Sequence, residues 1–333
     1  MIPAVSISLK PPDMESARFI ERMLRIDRLG LVKRLIVNAD DFGLTAGINR
    51  AVIELHLAGI LTSATLMANA TSSHEGIMLA HANPTLGVGC HVVLVDGEPV
   101  LQPSAIPNLA RGSGGKFHAT LGRFLRDLHR LASTPSSRSD LSSEIEAEVS
   151  AQIRLLQSRG LHLTHVDTHK HTHMFPAALR PLLRAARACG ITRIRNPFDS
   201  AWSRRKADVV PWLRRFQVIA LRSFEAKVLR IIAEHGFSTT DGTVGVMITG
   251  SLDRVNLRRA LDAMPDGTWE LVTHPGYHDA DLDAVRTRLK ASREIERQAL
   301  SAIKDFPEIE LISFAGLETS GLESDGSSTM ISL

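Results

Sequence analysis

A chain of 333 residues with 44% hydrophobic side chains can bury one large α/β core or two ordinary ones, and its net charge of +3, from 39 basic against 36 acidic residues, lacks the global basicity of a nucleic-acid binder. The two cysteines, Cys90 and Cys189, form no spacing pattern and argue against a disulfide framework or a Cys-based zinc site, so a metal would have to use His and carboxylates. No window approaches about 18 consecutive apolar residues and the opening MIPAVSISLKPPDMESARF lacks the order of a signal peptide, which predicts a cytoplasmic protein.

Residues 1–32, with the helical pattern ESARFIERMLRIDRL, read as an extension before the core. RLIVNAD is the first predicted core strand, followed by the helical INRAVIELHLAG, the strand LTSATLMAN, a helix near 73–82 and the strand LGVGCHVVLV. The Ser/Thr-rich ASTPSSRSDLSS, 132–143, reads as a surface loop. A helix EIEAEVSAQIRLLQSRG, the strand LTHVDTH, a helix PAALRPLLRAARACG and the strand ITRIRNP come next, then a long amphipathic stretch. TWELVTHPG, a charged helix near 280–304 and IELISF complete the core, and 318–333 reads as a disordered tail. Strands alternating with helices imply a mainly parallel sheet surrounded by helices, and about seven of them predict a (β/α) barrel-like α/β domain over 33–317. Gly59, Gly160 and Gly190 each follow a helical pattern and fit the position just past a helix end, where a positive φ is needed.

Charge is uneven along this chain. Between Arg204 and Arg230 eight Lys/Arg face only Asp208 and Glu225, interleaved with Trp212, Phe216 and Phe224. Such a segment, 204–232, fits either an ordinary barrel helix with solvated charges or a basic amphipathic face making peripheral contact with the inner face of an anionic membrane. Nothing in the sequence excludes a homodimer.

Four polar clusters end predicted strands: Asp40-Asp41, His91, THVDTHKHTH from Thr164 to His173, and THPGYHD from Thr273 to Asp279. The C-terminal ends of parallel strands share one face, so residues distant in sequence become candidates for one cavity. Carboxylates and imidazoles together suit a divalent cation. As an extended segment, HKHTH would present His169, His171 and His173 on one side. Each cluster also has an ordinary reading. Asp41 could cap the next helix, although Thr45 is the better cap; His91 could be a satisfied core histidine; THPG could be a plain turn. Strand alternation would send Asp40 and Asp41 to opposite faces, so the chain is expected to leave regular strand geometry there, with Gly43 permitting the turn.

NADDFGLTAGINRAV, GILTSATLMAN, PTLGVGCHVVL, THVDTHKHTHMFP and ELVTHPGYHD, in this order, resemble the YdjC-like carbohydrate deacetylase family over roughly residues 33–315. The resemblance implies a (β/α) barrel that removes the acetyl group from N-acetylated sugars with one divalent metal ion, zinc or magnesium being expected first. It implies Asp41, His91 and His169 as metal ligands, Asp40 as general base and His274 as general acid; Asp167, His171 and His173 are then left to orient the ligands or bind substrate. GCHVVLVDGEPVL also resembles the hopanoid-biosynthesis branch, which implies an N-acetylglucosamine-bearing hopanoid, a glycolipid, as substrate. One departure stands out: the family's usual HHHVH is HKHTH here, with Lys170 in place of the second histidine. A metal-dependent phosphohydrolase and a non-catalytic sugar- or lipid-binding protein are the alternatives. GSGG at 112–115 lacks the Lys-Ser/Thr of a phosphate-cradling loop, and adjacent aspartates are a poor match to a glycoside hydrolase, whose acid pair flanks the bond at roughly 5 Å or more.

Overall fold

The computed structural model describes residues 32–131, 134–205, 223–246 and 249–318. The predicted extension 1–32 and tail 318–333 therefore lie, apart from Val32 and Glu318, outside the described residues.

Among the described residues, seven strands form one all-parallel sheet: β1 (Lys33–Phe42), β2 (Ser63–Leu66), β3 (Gly87–Val92), β4 (Val166–Thr168), β5 (Gly242–Val244), β6 (Gly267–Thr273) and β7 (Ile309–Leu311). The order is β4-β3-β2-β1-β6-β5, and β7 pairs the first residues of β1. β1 is the spine: it runs beside β6 from Lys33 opposite Gly267 to Ala39 opposite Thr273, and beside β2 at its far end. Its apolar run from Leu35 to Val37 is buried on both faces, as expected for a strand covered by helices on one side and core on the other. Parallel bridges between Val166 and Ile194, Arg193 and Ser238, and Asp199 and Thr243 carry segment 193–199 across from β4 toward β5, so the curved sheet is a half-barrel whose open side is spanned by irregular backbone.

Helices α1 (Ala46–Leu57), α2 (Ser73–Ala82), α3 (Leu121–Leu131), α4 (Pro135–Ser158), α5 (Pro176–Ala188), α6 (Ala201–Arg205), α7 (Glu225–Glu234), α8 (Arg254–Asp262), α9 (Ala280–Ala284) and α10 (Ala291–Ala299) surround it. Thr45 caps α1, accepting from the Ile48 amide. Gly59, Gly160 and Gly190 have φ of +71°, +84° and +80°, the left-handed conformation that glycine enters without steric cost.

Residues 134–143 are not a loop. Thr134 caps α4, Pro135 takes its first turn, where a missing N–H costs nothing, and the helix continues to Ser158. Leu141, Ile145, Val149, Ile153 and Leu156 form its buried stripe; the Ser-rich composition belongs to its solvated face. The other inward side chains of α4 are polar. Glu144 accepts from the amides of Asn108 and Leu109, Glu148 from those of Val100 and Leu101, and Gln152 both accepts from the Val93 amide and donates to its carbonyl. The helix thus grips the long segment after β3 by its backbone.

The charged helix expected near 280–304 is three pieces: α9, α10 and a 3₁₀ turn at Leu300–Asp305. Of the basic stretch 204–232, residues 206–222 lie outside the described residues. Its last part enters α7, which packs Val228, Ile231 and Ile232 inward and lies against α5, as an ordinary barrel helix does. Among the described residues no helix is long and apolar enough to cross a membrane.

Candidate metal and proton-transfer site

The C-terminal ends of β1, β3, β4 and β6 deliver the site. β1 stops being regular where it reaches the two aspartates: its register to β2 shifts between Ala39 and Phe42, Asp41 has φ +62° and Gly43 has φ +90°. Left-handed backbone is costly for most side chains and least so for Asp and Asn. The Leu44 amide closes the turn on the Asp41 carbonyl at 3.0 Å, and the Gly43 amide is held by Asn49 Oδ1 at 2.7 Å. The kink lets both neighbouring carboxylates face the same cavity.

Asp41 Oδ1 lies 3.4 Å from His91 Nε2 and 3.2 Å from His169 Nδ1, and the two nitrogens are 3.3 Å apart. A nearly equilateral triangle of this size is what three ligands adopt around a tetrahedral cation at about 2.0–2.1 Å from each. Asp41 Oδ1 is buried and lacks an aligned hydrogen-bond donor among the described residues; the donor set, one carboxylate and two imidazoles, suits zinc and admits harder divalent ions. The residues therefore fit a metal. A second grouping of Asp40, His91 and Asp167 also converges, but Arg195 already fills it.

Asp167 lies behind His91, its Oδ1 2.7 Å from His91 Nδ1. This fixes the tautomer that turns Nε2 toward Asp41 and His169. Burial opposes a charge on His91, but Asp167 outweighs it and pushes the group up to about 10, so a cation at Nε2 must displace a proton.

Asp40 is engaged differently. Arg195, fully buried, donates to Asp40 Oδ1 at 2.6 Å and Oδ2 at 2.8 Å, and also pairs with Asp167 at 2.6 Å and Glu270 at 2.7 Å. Asn38 Nδ2 donates to Oδ1 at 3.1 Å. Burial would raise the Asp40 carboxyl, yet the Arg195 guanidinium, with His91 and His274, holds it far below the ordinary carboxylate range. Asp41 is likewise held well below it, against burial, by Arg293 and then by its two imidazole contacts. Glu270, by contrast, is pushed up to about 7 by burial, which outweighs Arg195.

His274, on the loop after β6, has Nε2 3.6 Å from Asp40 Oδ2. Glu296 of α10 accepts from the His274 amide at 2.7 Å and lies 3.8 Å from its Nδ1, which anchors the backbone that carries the ring.

The histidine cluster departs from the expected extended segment. His169–Met174 is a tight 3₁₀ turn, with Lys170 and His171 at φ of +55° and +52°, so the three imidazoles do not share a side. His169 reaches the triangle. His171 is driven down to about 3, first by burial and then by Arg195, and its Nδ1 has no hydrogen-bond partner among the described residues; it is a neutral group beside the site. His173 is fully buried, with Nδ1 2.6 Å from Thr168 Oγ1. Lys170 donates to Asp96, tying this turn to the segment after β3. The sequence reading did not single out Arg195, Glu270, Arg293 or Glu296. Arg195 left a faint signal at most, one of two arginines in the predicted strand ITRIRNP; the other three left none.

Among known proteins, the YdjC-like protein family matches this chain over residues 34–304. The carbohydrate deacetylase of Brevibacillus brevis is 32% identical over 292 residues, spanning 85% of this chain and 99% of its own. That of Mus musculus is 33% identical over 261 residues, spanning 73% and 78%. A solved structure from Enterococcus faecalis V583 superposes with a TM-score of 0.64 at 22% identity, covering 85% of this chain and 98% of its own, a likeness of fold.

Proposed function

Since the chain belongs to the YdjC-like protein family, we propose that it removes the acetyl group from an N-acetylated amino sugar, using one divalent cation held by Asp41, His91 and His169. The observation that carries this is the 3.2–3.4 Å triangle of ligand atoms with the Asp40–His274 pair beside it.

A divalent cation there supplies Lewis acidity toward the acetyl carbonyl and makes water a stronger acid. The chain's own residues do the rest. Asp40 takes the proton of the attacking water on Oδ2, the oxygen facing His274, while Arg195 keeps the carboxylate ionised and aimed. A carboxylate held below its ordinary range is a weak base, and the acidity that a cation would lend to water would favour this role. His274 Nε2 gives its proton to the departing amine nitrogen, and acetate and the free amino sugar leave. His171 and His173 shape the wall as neutral groups. The resemblance of GCHVVLVDGEPVL supports an N-acetylglucosamine-bearing hopanoid as the particular substrate.

Acetate release from a panel of N-acetylglucosamine conjugates, a hopanoid glycoside included, with and without chelator, tests the reading. Asp41→Ala and His169→Ala should lose metal and turnover together, and Asp40→Asn should keep metal while losing about 10²–10⁴ in rate. Near-full turnover by Asp40→Asn would remove the base assignment.

A further inference from the structure

Arg293 is a fully buried arginine in α10 that the deacetylation steps do not use. Its Nη2 donates to Asp41 Oδ2 at 2.5 Å and its Nε to the Leu289 carbonyl at 3.0 Å, while Nη1 is buried without a hydrogen-bond partner among the described residues. The loop carrying His274 closes directly over it. The Gly276 amide donates to the Arg293 carbonyl at 3.3 Å, and a Cβ at Gly276 would come within 3.1 Å of Arg293 Cδ.

By hydrogen-bond accounting this is a poor place for a guanidinium, since one donor is spent on nothing and a charge has been taken out of water. An apolar side chain of similar length would fill the volume. What it could not do is bring a positive charge to Asp41. The two carboxylate oxygens are divided: Oδ2 faces Arg293, and Oδ1 faces His91 and His169. Two unit charges this close interact strongly even with partial screening, and a divalent ion in the triangle would stand on the other side of the same carboxylate.

We infer that Arg293 is a positioning residue that stands in for the cation: it balances Asp41 in the metal-free protein, leaves only Oδ1 free to bind, and by charge repulsion loosens the hold on the metal once bound. The inference rests on the metal reading above. It makes the site foldable without metal and keeps loading reversible, at the expense of affinity.

The test compares full-length wild type, Arg293→Met and Arg293→Lys, each by thermal unfolding in chelator and in zinc chloride, with zinc affinity measured by competition against a chromogenic chelator. The Met variant should melt about 5 °C or more below wild type in chelator, and zinc should close most of that gap. By linkage its zinc affinity should be tighter, on the order of tenfold or more; Lys should behave like wild type. Arg293→Gln, which keeps a donor without the charge, carries the same expectation if the Met variant does not accumulate. Equal melting losses with and without zinc, or an affinity in the uncharged variants that is unchanged or weaker, would overturn the stand-in role while leaving the metal reading intact. Wild type that neither binds zinc nor responds to it would overturn the metal reading, and this inference with it.

Discussion

Glu270 offers a test of the buried charge cluster that does not depend on turnover. One guanidinium, that of Arg195, serves Asp40, Asp167 and Glu270, so the cluster holds more anions than cations, and burial pushes Glu270 from 4.5 up to about 7. A carboxyl whose folded pKa is raised binds protons in the native state that the unfolded chain has already released, so stability is full below about 4.5 and is lost as pH rises through about 7. At about 1.36 kcal/mol per pH unit, that window is worth about 3 kcal/mol. Glu270→Gln keeps the shape and the acceptor oxygen without the titration. The difference in stability between variant and wild type should therefore grow in the variant's favour by about 3 kcal/mol between pH 4.5 and 8. For a chain of this size, with an unfolding entropy of about 2 cal/mol/K per residue, this corresponds to a relative rise in melting temperature of roughly 5 °C. Differential scanning calorimetry of both proteins at pH 4.5, 6, 7 and 8 measures it, and taking the difference cancels the other titrating groups. A constant offset across the series would refute the reasoning, because a packing defect has no pH window.

Asp167→Asn removes the carboxylate that orients His91, and zinc affinity by chelator competition should fall about 10–100-fold, with the fold retained by circular dichroism. At Lys170 the left-handed pair Lys170-His171 is held by the contact with Asp96, so Lys170→Met should let the turn relax and displace His169, lowering zinc affinity by about tenfold. Lys170→Arg should largely keep it, and unchanged affinity in the Met variant would show that the turn holds without the clamp.

The parts legible in the sequence are those that local patterns encode. Buried strands with polar ends, separated by helical repeats, gave the parallel architecture, and the parallel architecture alone put Asp41, His91, His169, Asp40 and His274 on one face. The kink at Asp40-Asp41 was legible too, because a period of two cannot turn adjacent side chains the same way. Two local readings failed for identifiable reasons. Alternation in HKHTH reads as strand geometry, but Lys170 and His171 are left-handed and the period means nothing there. The Ser-rich 132–143 reads as a loop because the solvated face of α4, which begins at Pro135, dominates its composition. The charges that tune the site were illegible for a different reason: Arg195 meets Asp40 across 155 positions and Arg293 meets Asp41 across 252. Each is a single residue without a local pattern, and its meaning exists only once the half-barrel has formed.

The grip of α4 on the segment after β3 has a consequence for how this protein can change. Glu144, Glu148 and Gln152 hold that segment through its main-chain amides and a carbonyl, groups that nearly every residue type supplies. Side chains there can be exchanged without releasing the anchorage, so this stretch can vary while three positions on one helix stay fixed.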